Sequence, residues 1–342
     1  MKKSVSIKDI AKESGVSIAT VSRVINKTGR YSKETEDKVL SIIQRMNYVP
    51  NLIAKGLRVQ KMMNVGIIVP DITNEFFVKL VSELENDLFQ EGYQTFLCNT
   101  NEDEANEKMR AQMMTMQNVC GLIFLSTGMQ DADYEGNDLP TVFIERLPGT
   151  THRNYNLVSS DNVQGGYIAT RELLDQGCGK ILIMTGREHV SGYRERLQGY
   201  QKALREAGFG EDAFHICYLD RLHYSDAHQE MSRILDSGEF DYDGIFAASD
   251  WLAIGCYRAL EERGYVVPDQ VKLVGYDDIS ITAFNTVPIT TIHQPVDELG
   301  RIATQQLMRT LNGEQMEQQV QYVPVHLMPR ASTRGDRAPK YL

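Results

Sequence analysis

The sequence predicts an all-α helix-turn-helix head at the N-terminus and, behind it, an α/β core of two doubly wound parallel-sheet lobes. Three features of the 342 residues predict this. Ser6 to Asn26, SIKDIAKESGVSIATVSRVIN, reads as two short capped helices around a glycine turn. Residues 1–61 hold 13 basic and 5 acidic residues, a charge of +8; the whole chain is −10, which leaves −18 on the remainder. Beyond residue 64, short continuous apolar runs alternate with amphipathic stretches of helical length, the pattern of parallel strands covered on both faces.

In the head, Ser6 stands three residues before Asp9, the capping-box spacing in which hydroxyl and carboxylate satisfy free amides. Ile7, Ile10 and Ala11 share one face of this first helix. Gly15 supplies the freedom that a tight turn needs, and Ser17 is placed to cap a second helix running to about Asn26. On that helix Val21, Val24 and Ile25 point inward, while Ile18, Ala19, Ser22, Arg23 and Asn26 recur on the opposite face. A third helix, capped by Ser32, brings Val39, Leu40, Ile42, Ile43 and Met46 to close a small core.

Short capped helices around a glycine occur in many soluble modules, so the pattern alone leaves an ordinary module and a DNA-binding one open. Charge favours the second: a basic cap on an acidic body marks a protein whose N-terminus touches phosphates. Ile18 and Ala19, at the start of the second helix, are expected at major-groove base edges, where apolar side chains meet thymine methyls, and Arg23 is the candidate for guanine. Ser6, Ser17, Thr20, Ser22 and Asn26 are expected on phosphates, which fix register without reading sequence. One such head reads a half-site, so a homodimer on a palindromic operator is expected. The tail PRASTRGDRAPKYL shows no heptad pattern and offers nothing for a tetramerising coiled coil.

Next comes YVPNLIAKGLRVQ, Tyr48 to Gln60, in which Pro50 interrupts the preceding helix and Leu52, Ile53, Ala54 and Leu57 sit among Lys55 and Arg58. The run is too short to be a stable helix alone in water. Here the chain resembles the lactose/galactose-repressor family of bacterial regulators, through SIKDIAKESGVSIATVSRVIN, NYVPN, AKGLR and VGIIVPDITNEFF. The resemblance covers essentially the full length. It implies that Asn51 to Arg58 is a hinge helix ordering on operator DNA, with Ala54 among the DNA contacts and Leu57 wedged into the minor groove. The unstacking cost of such a wedge is offset by the contacts that the bend permits. Gly56 weakens that helix by about 1 kcal/mol relative to alanine, so the hinge is expected to depend on DNA to fold.

The same resemblance implies a periplasmic-binding-protein-like core. Its N-terminal lobe is expected near residues 62–162 with 294–322, and the other lobe near 163–293 with 323–342, behind a head at 1–49 and a hinge at 50–61. Three chain crossings would form a hinge, and an effector in the cleft would bias the lobe arrangement if it binds two states differently.

The residues themselves support such a body. VGIIVPD leads to a helix over about Glu75 to Gln90, YQTFLCNT to one over Glu104 to Asn118, and GLIFLS and PTVFIER follow. A second series begins with a helix over Asn162 to Gln176. It continues through KILIMTG, Arg194 to Ala207, HICYLD, Ala227 to Asp236, GIFAASD, Leu252 to Arg263 and VKLVGYDD. Gly92-Tyr93 and Gly208-Phe209 end helices in corresponding places, consistent with a weak internal repeat.

Open α/β sheets bind ligands beyond the C-terminal ends of their strands. The residues there are Asp71, Asn74, Phe76 and Phe77 after VGIIVPD, Glu145 after PTVFIER, His189 and Arg196 after KILIMTG, Asp250 and Trp251 after GIFAASD, and Asp277 after VKLVGYDD. Arg221, His223 and Tyr224 follow a further strand. By resemblance, Arg196 and Asp277 match the family's effector-gripping arginine and aspartate, and Glu145 a carboxylate position usually held by aspartate. Phe76 and Phe77 also suit core packing. Opposed charges with aromatic faces suit a polyhydroxylated effector, a sugar or sugar derivative.

An enzyme and a solute-binding protein are the competing classes. No GxxxxGK[ST], GxGxxG after a strand, GxSxG or HExxH occurs, so neither catalysis nor a cofactor is expected. MKKSVSIKDI lacks an apolar signal core and no apolar run approaches membrane-spanning length, which together with the basic head disfavours an exported binding protein and predicts a cytoplasmic one. Cys98, Cys120, Cys178, Cys217 and Cys256 are scattered and odd in number, unlike a disulfide framework or a CxxC metal site.

Overall fold

The computed structural model describes residues 5–26, 28–46, 48, 63–125, 139–146, 156–314 and 319–335, and the chain divides into two compact units at the 62/63 boundary.

In the first unit, α1 (Ile7–Ser14), α2 (Ile18–Asn26) and α3 (Lys33–Arg45) follow one another through short turns. The Asp9 carboxylate accepts from both the amide (2.9 Å) and the hydroxyl (2.6 Å) of Ser6. Gly15 adopts φ 69°, a conformation open to a residue without Cβ. Ser17 and Ser32 accept the amides of Thr20 and Thr35 at 3.1 and 3.2 Å, so each later helix starts on a satisfied cap. Ile10, Ala11, Val21, Val24, Val39 and Ile42 form the core. Leu40, expected in it, is 46% exposed: Val39, Ile42, Ile43 and Met46 already occupy the inward stripe, and Leu40 lies one residue round the helix from it.

The second unit contains two parallel sheets. The first joins β1 (Asn64–Val69), β2 (Gln94–Asn99), β3 (Gly121–Phe124), β4 (Thr141–Ile144), β5 (Asn156–Ser160) and β11 (Gln319–Val323) in the order β11-β5-β4-β3-β1-β2, every pair parallel. The second joins β6 (Ile181–Gly186), β7 (His215–Leu219), β8 (Gly244–Ala247) and β9 (Lys272–Val274) in the order β7-β6-β8-β9, again parallel. A two-stranded antiparallel ladder pairs β10 (Thr291–His293) with β12 (His326–Met328). The connecting helices are α4 (Glu75–Gln90), α5 (Glu104–Met116), α6 (Asn162–Asp175), α7 (Ser191–Glu206), α8 (Tyr224–Asp236), α9 (Asp250–Glu262), α10 (Ser280–Ala283), α11 (Val296–Leu311) and α12 (Ala331–Arg334).

Strands run buried over their whole lengths in β3, β5, β6 and β8, as expected of a sheet covered on both faces. β5 escaped the pattern reading because Asn156, Ser159 and Ser160 are polar although buried. Three helices begin two or three residues earlier than apolar spacing suggests. In α8 and α9 the cause is a cap: His223 Nδ1 accepts from the Ser225 amide, and Ser249 Oγ from the Leu252 amide. The order β2-β1-β3, like β7-β6-β8, places a switch point next to β1 and β6, where a crevice opens beyond the strand ends.

Two glycines permit a close crossing of α6 and α7. A Cβ on Gly166 would lie 2.1 Å from the Arg196 carbonyl oxygen, and one on Gly199 would lie 2.1 Å from that of Val163. This contact of backbone on backbone fixes where α7 carries Arg196.

Candidate functional site

The helical head presents Ser17, Ile18, Ala19 and Arg23 on the exposed face of α2 or its cap, with Thr20 and Ser22 half-buried and Ser6 exposed ahead of α1. Val21 and Val24 are buried on the other side, so the face expected to read bases is free of the core. The side chain of Asn26, with Ala54 and Leu57, lies outside the described residues.

In the second unit a cavity of about 510 Å³ is lined from seven strand ends. Asp71, Asn74, Phe76 and Phe77 come from the β1–α4 segment, Asn101, Glu102 and Asp103 from the β2–α5 segment, and Glu145 and Arg146 from beyond β4. Across from the first sheet, Val190, Gly192, Tyr193 and Arg196 follow β6, Asp220, Arg221, Leu222 and His223 follow β7, Ser249 and Trp251 follow β8, and Asp277 follows β9. The volume suits a small ligand.

Arg196 is held on every side. Its Nε donates to Asn162 Oδ1 at 2.8 Å and its Nη1 to the Ala248 carbonyl at 2.6 Å, the guanidinium lies 3.6 Å from the centroid of Tyr276, and Asp277 Oδ1 is 3.7 Å from Nη1. Asp277 also accepts from Gln294 Nε2 at 2.7 Å. Burial pushes its carboxyl up to about 7 despite the Arg196 charge, with the Glu145 carboxylate adding to the rise. Glu145 accepts from the Ser160 amide at 2.5 Å and from Asn162 Nδ2 at 3.1 Å. Asn162, the first residue of α6, therefore bridges Glu145 and Arg196. Glu195, next to Arg196, is likewise pushed up to about 7 by burial and by Glu145.

The first sheet contributes a second buried guanidinium. Arg146 pairs with Glu102 at 3.2 Å and lies 5.5 and 5.9 Å from the ring centroids of Phe77 and Tyr193. Tyr193 also faces Arg196 at 5.5 Å, so one aromatic ring stands between two cations. On the rim, Trp251 stacks on His223 at 5.9 Å and 15°. Six non-glycine residues among those described have positive φ, and four of them, Asn101, Glu102, Glu145 and Asp277, line the cavity. Backbone strain concentrates where binding groups must be aimed.

Of the ten residues expected at the cleft, Asp71, Asn74, Phe76, Phe77, Glu145, Arg196, Trp251 and Asp277 line the cavity. Phe76 and Phe77 also belong to the core cluster, so each packs in the core and lines the cavity at once. Asp250 does not line it: the side chain is fully buried behind the strand end, accepting from the Ile279 amide at 2.9 Å and from Thr291 Oγ1 at 2.7 Å. Burial, with the charge of Asp277 beside it, holds its carboxyl well above the usual range. His189 lies on a smaller neighbouring recess of about 100 Å³ with Arg187 and Glu104, within a turn closed by the Val190 amide on the Arg187 carbonyl at 3.2 Å. Tyr224 is likewise outside, while Arg221 and His223 line the wall. Sequence reasoning missed Arg146, Tyr193 and Glu102. Arg146 was within reach, as the residue after Glu145 at a strand end; Glu102 faces inward through its turn, at φ 54°, and Tyr193 because α7 starts early, at Ser191, and carries it one turn ahead of Arg196.

Comparison with known proteins places the chain in a family. Residues 6–51 match the bacterial regulatory proteins of the lacI family, and residues 170–333 match the periplasmic binding protein-like domain. The chain is 33% identical over 329 residues to the ribose operon repressor of Halalkalibacterium halodurans, covering 96% of this chain and 97% of that one. It is 32% identical over 329 residues to the transcriptional repressor PurR of Haemophilus influenzae, with 96% and 97% covered. Among solved structures, the lac repressor dimer bound to operator and the anti-inducer ONPF shares the fold at a TM-score of 0.86 and 24% identity, over 97% and 99% of the two chains. A lacI-family regulator of Enterococcus faecium with bound ribose superposes at 0.69 with 28% identity, over 81% and 100%. With a helix-turn-helix head for DNA and a separate core for a small-molecule effector, the chain belongs to the lacI family of bacterial transcription regulators.

Proposed function

We propose that this protein is a cytoplasmic, non-catalytic repressor that binds a palindromic operator as a homodimer and is controlled by an uncharged sugar held between Arg196–Asp277 and Arg146–Glu102. The observation that carries the reading is the convergence of two buried guanidiniums, each with a carboxylate partner, and of Phe77, Tyr193 and Trp251 on one cavity. Sugar hydroxyls donate to carboxylates and accept from guanidinium, and aromatic faces cover the apolar side of the ring. The lining carries six carboxylates (Asp71, Glu102, Asp103, Glu145, Asp220, Asp277) against three arginines (Arg146, Arg196, Arg221). A phosphorylated sugar would enter that field against net repulsion, so the neutral sugar is favoured. Relatives named for ribose, and neighbours solved with ribose and with cellobiose, support the sugar class.

DNA contact is assigned to Ser6, Ser17, Ile18, Ala19, Thr20, Ser22, Arg23 and Asn26 in the head, and to Ala54 and Leu57 in the hinge segment. To the dimer we assign the apolar surface of exposed Ile72 ahead of α4, Val78 within it, Ile281 within α10 and Phe284 just after it. Among the described residues no helix is long and apolar enough to cross a membrane.

Calorimetry of the full chain with D-ribose, cellobiose and D-ribose 5-phosphate, coupled to a gel shift on palindromic duplexes, tests the reading. A neutral sugar should bind and change duplex retention. Binding of the phosphate ester alone, or retention indifferent to every sugar, would refute it.

A further inference from the structure

The segment that carries Asp277 also joins the two lobes. Three residues beyond Asp277, the Ser280 amide donates to both carboxylate oxygens of Glu75 at 3.0 Å, and the Ser280 hydroxyl donates to Glu75 Oε2 at 2.7 Å. Glu75 opens α4 on the first sheet, between the cavity-lining residues Asn74 and Phe76. Between Asp277 and Ser280, Ile279 is 1% exposed and belongs to the cluster otherwise built from the first lobe and α11, including Phe76, Phe77 and Leu80. Trp251 packs against the same cluster.

This short loop is held in shape from several directions. Asp277 and Asp278 have φ of 118° and 58°, outside the region that residues with a Cβ prefer. Asp250 accepts the Ile279 amide at 2.9 Å, and Asp278 is gripped by His293 at 2.8 Å and by Arg330. The loop is thus rigid towards its own lobe, and its far end is fastened to the other lobe by Glu75.

We infer that Glu75 is a positioning residue: its clasp on Ser280, with Ile279 plugged beneath, converts effector contact at Asp277 into a fixed lobe angle. A sugar drawn onto Asp277 and Asn74 pulls on the two segments that the clasp already connects. When the clasp is lost, only a fraction of molecules has both cavity walls in register, and apparent affinity falls by that fraction. The inference rests on the effector reading above, and its test separates the two.

The chain contains a single tryptophan, Trp251, placed at the lobe junction, so emission from the full-length protein reads lobe separation without any ligand. Glu75→Ala removes the acceptor. Ser280→Pro removes amide and hydroxyl donors together at the first position of α10, where proline is tolerated; the preceding Ile279 has φ −74° and ψ 150°, as a residue before proline requires. Both variants should red-shift Trp251 emission and raise its quenching by acrylamide, with far-UV dichroism unchanged. The double variant should match either single one, and Glu75→Gln, which keeps an acceptor oxygen, should lie between. Lys79→Ala, which deletes only the 2.6 Å partner of Glu75 within α4, should leave emission as in the parent. D-ribose should bind the clasp variants about tenfold more weakly. Emission and quenching unchanged in Glu75→Ala, Glu75→Gln and Ser280→Pro would overturn the clasp whatever the sugars do. If D-ribose and the other sugars fail to bind the parent while quenching responds as stated, the clasp stands and the sugar reading falls.

Discussion

Gly166→Ala sets two effects of opposite sign against each other. In a helix interior alanine is favoured over glycine by about 1 kcal/mol, and Gly166 lies within α6. Yet its Cβ would meet the Arg196 carbonyl oxygen at 2.1 Å and the Arg196 carbonyl carbon at 2.8 Å, where ordinary contact starts at 3.4 Å. The helices must part by about 1.3 Å, the difference between 3.4 and 2.1 Å, and the obstacle is backbone that has no rotamer to change. Overpacking of this kind costs about 1–3 kcal/mol or more, and the lack of a yielding side chain puts this case at the upper end. The net expectation is about 2 kcal/mol of destabilisation after the gain in propensity, or a fall in Tm of roughly 4 °C or more. The same displacement moves Arg196, whose bond to Asn162 is 2.8 Å long; lengthened by about 1 Å it is no longer a hydrogen bond. Sugar affinity should therefore fall about tenfold or more. Urea unfolding followed by dichroism, with calorimetric titration of the sugar that binds the parent, reads both quantities. Gly192→Ala is the control for stability: in α7 its Cβ would meet the Glu145 oxygen at 3.8 Å, so the urea midpoint should hold or rise. A Gly166→Ala protein as stable as its parent, with undiminished affinity, would show that the α6–α7 crossing does not place Arg196.

Asp277 predicts a pH dependence of defined sign. Its native pKa near 7 lies above the unfolded value of about 3.9, so the native state binds the extra proton between them. Its stability contribution is full below about pH 4 and is lost as pH rises through 7; Asp277→Asn should flatten that fall in urea midpoints measured from pH 4 to 8, and an unchanged profile would refute the assignment. Arg23→Ala should relax preference at one base pair per half-site at about 1–3 kcal/mol, read by binding to a duplex library; retained preference there would remove Arg23 from the base-reading set. Leu57→Ala should reduce operator bending in a circular-permutation gel while leaving sugar binding intact, and equal bending by variant and parent would eliminate the wedge.

Much of the architecture was legible in one dimension because its causes are local. Caps at Ser17 and Ser32, the turn at Gly15 and the 3.6-residue spacing of Val21 and Val24 act within a few residues of one another, and the alternation of apolar strands with helices specifies parallel sheets wherever it occurs. Leu40 and β5 mark where that reading fails, since an apolar residue just off the stripe and polar residues inside a buried strand are told apart only by what packs against them.

The amino-acid order by itself determined a basic three-helix head, an acidic two-lobed α/β body and the strand ends that border the cavity, because caps, periodicity and charge asymmetry are properties of neighbouring residues. Only the tertiary structure decided which side chains at those ends share a cavity. Asp250 and Trp251 are adjacent in the chain, yet one is sealed against Ile279 and Thr291 and the other faces the cleft. Glu75 and Ser280 are 205 residues apart and touch. Such pairings follow from how two sheets and their crossing helices pack, and close approach between distant segments leaves no trace in local spacing.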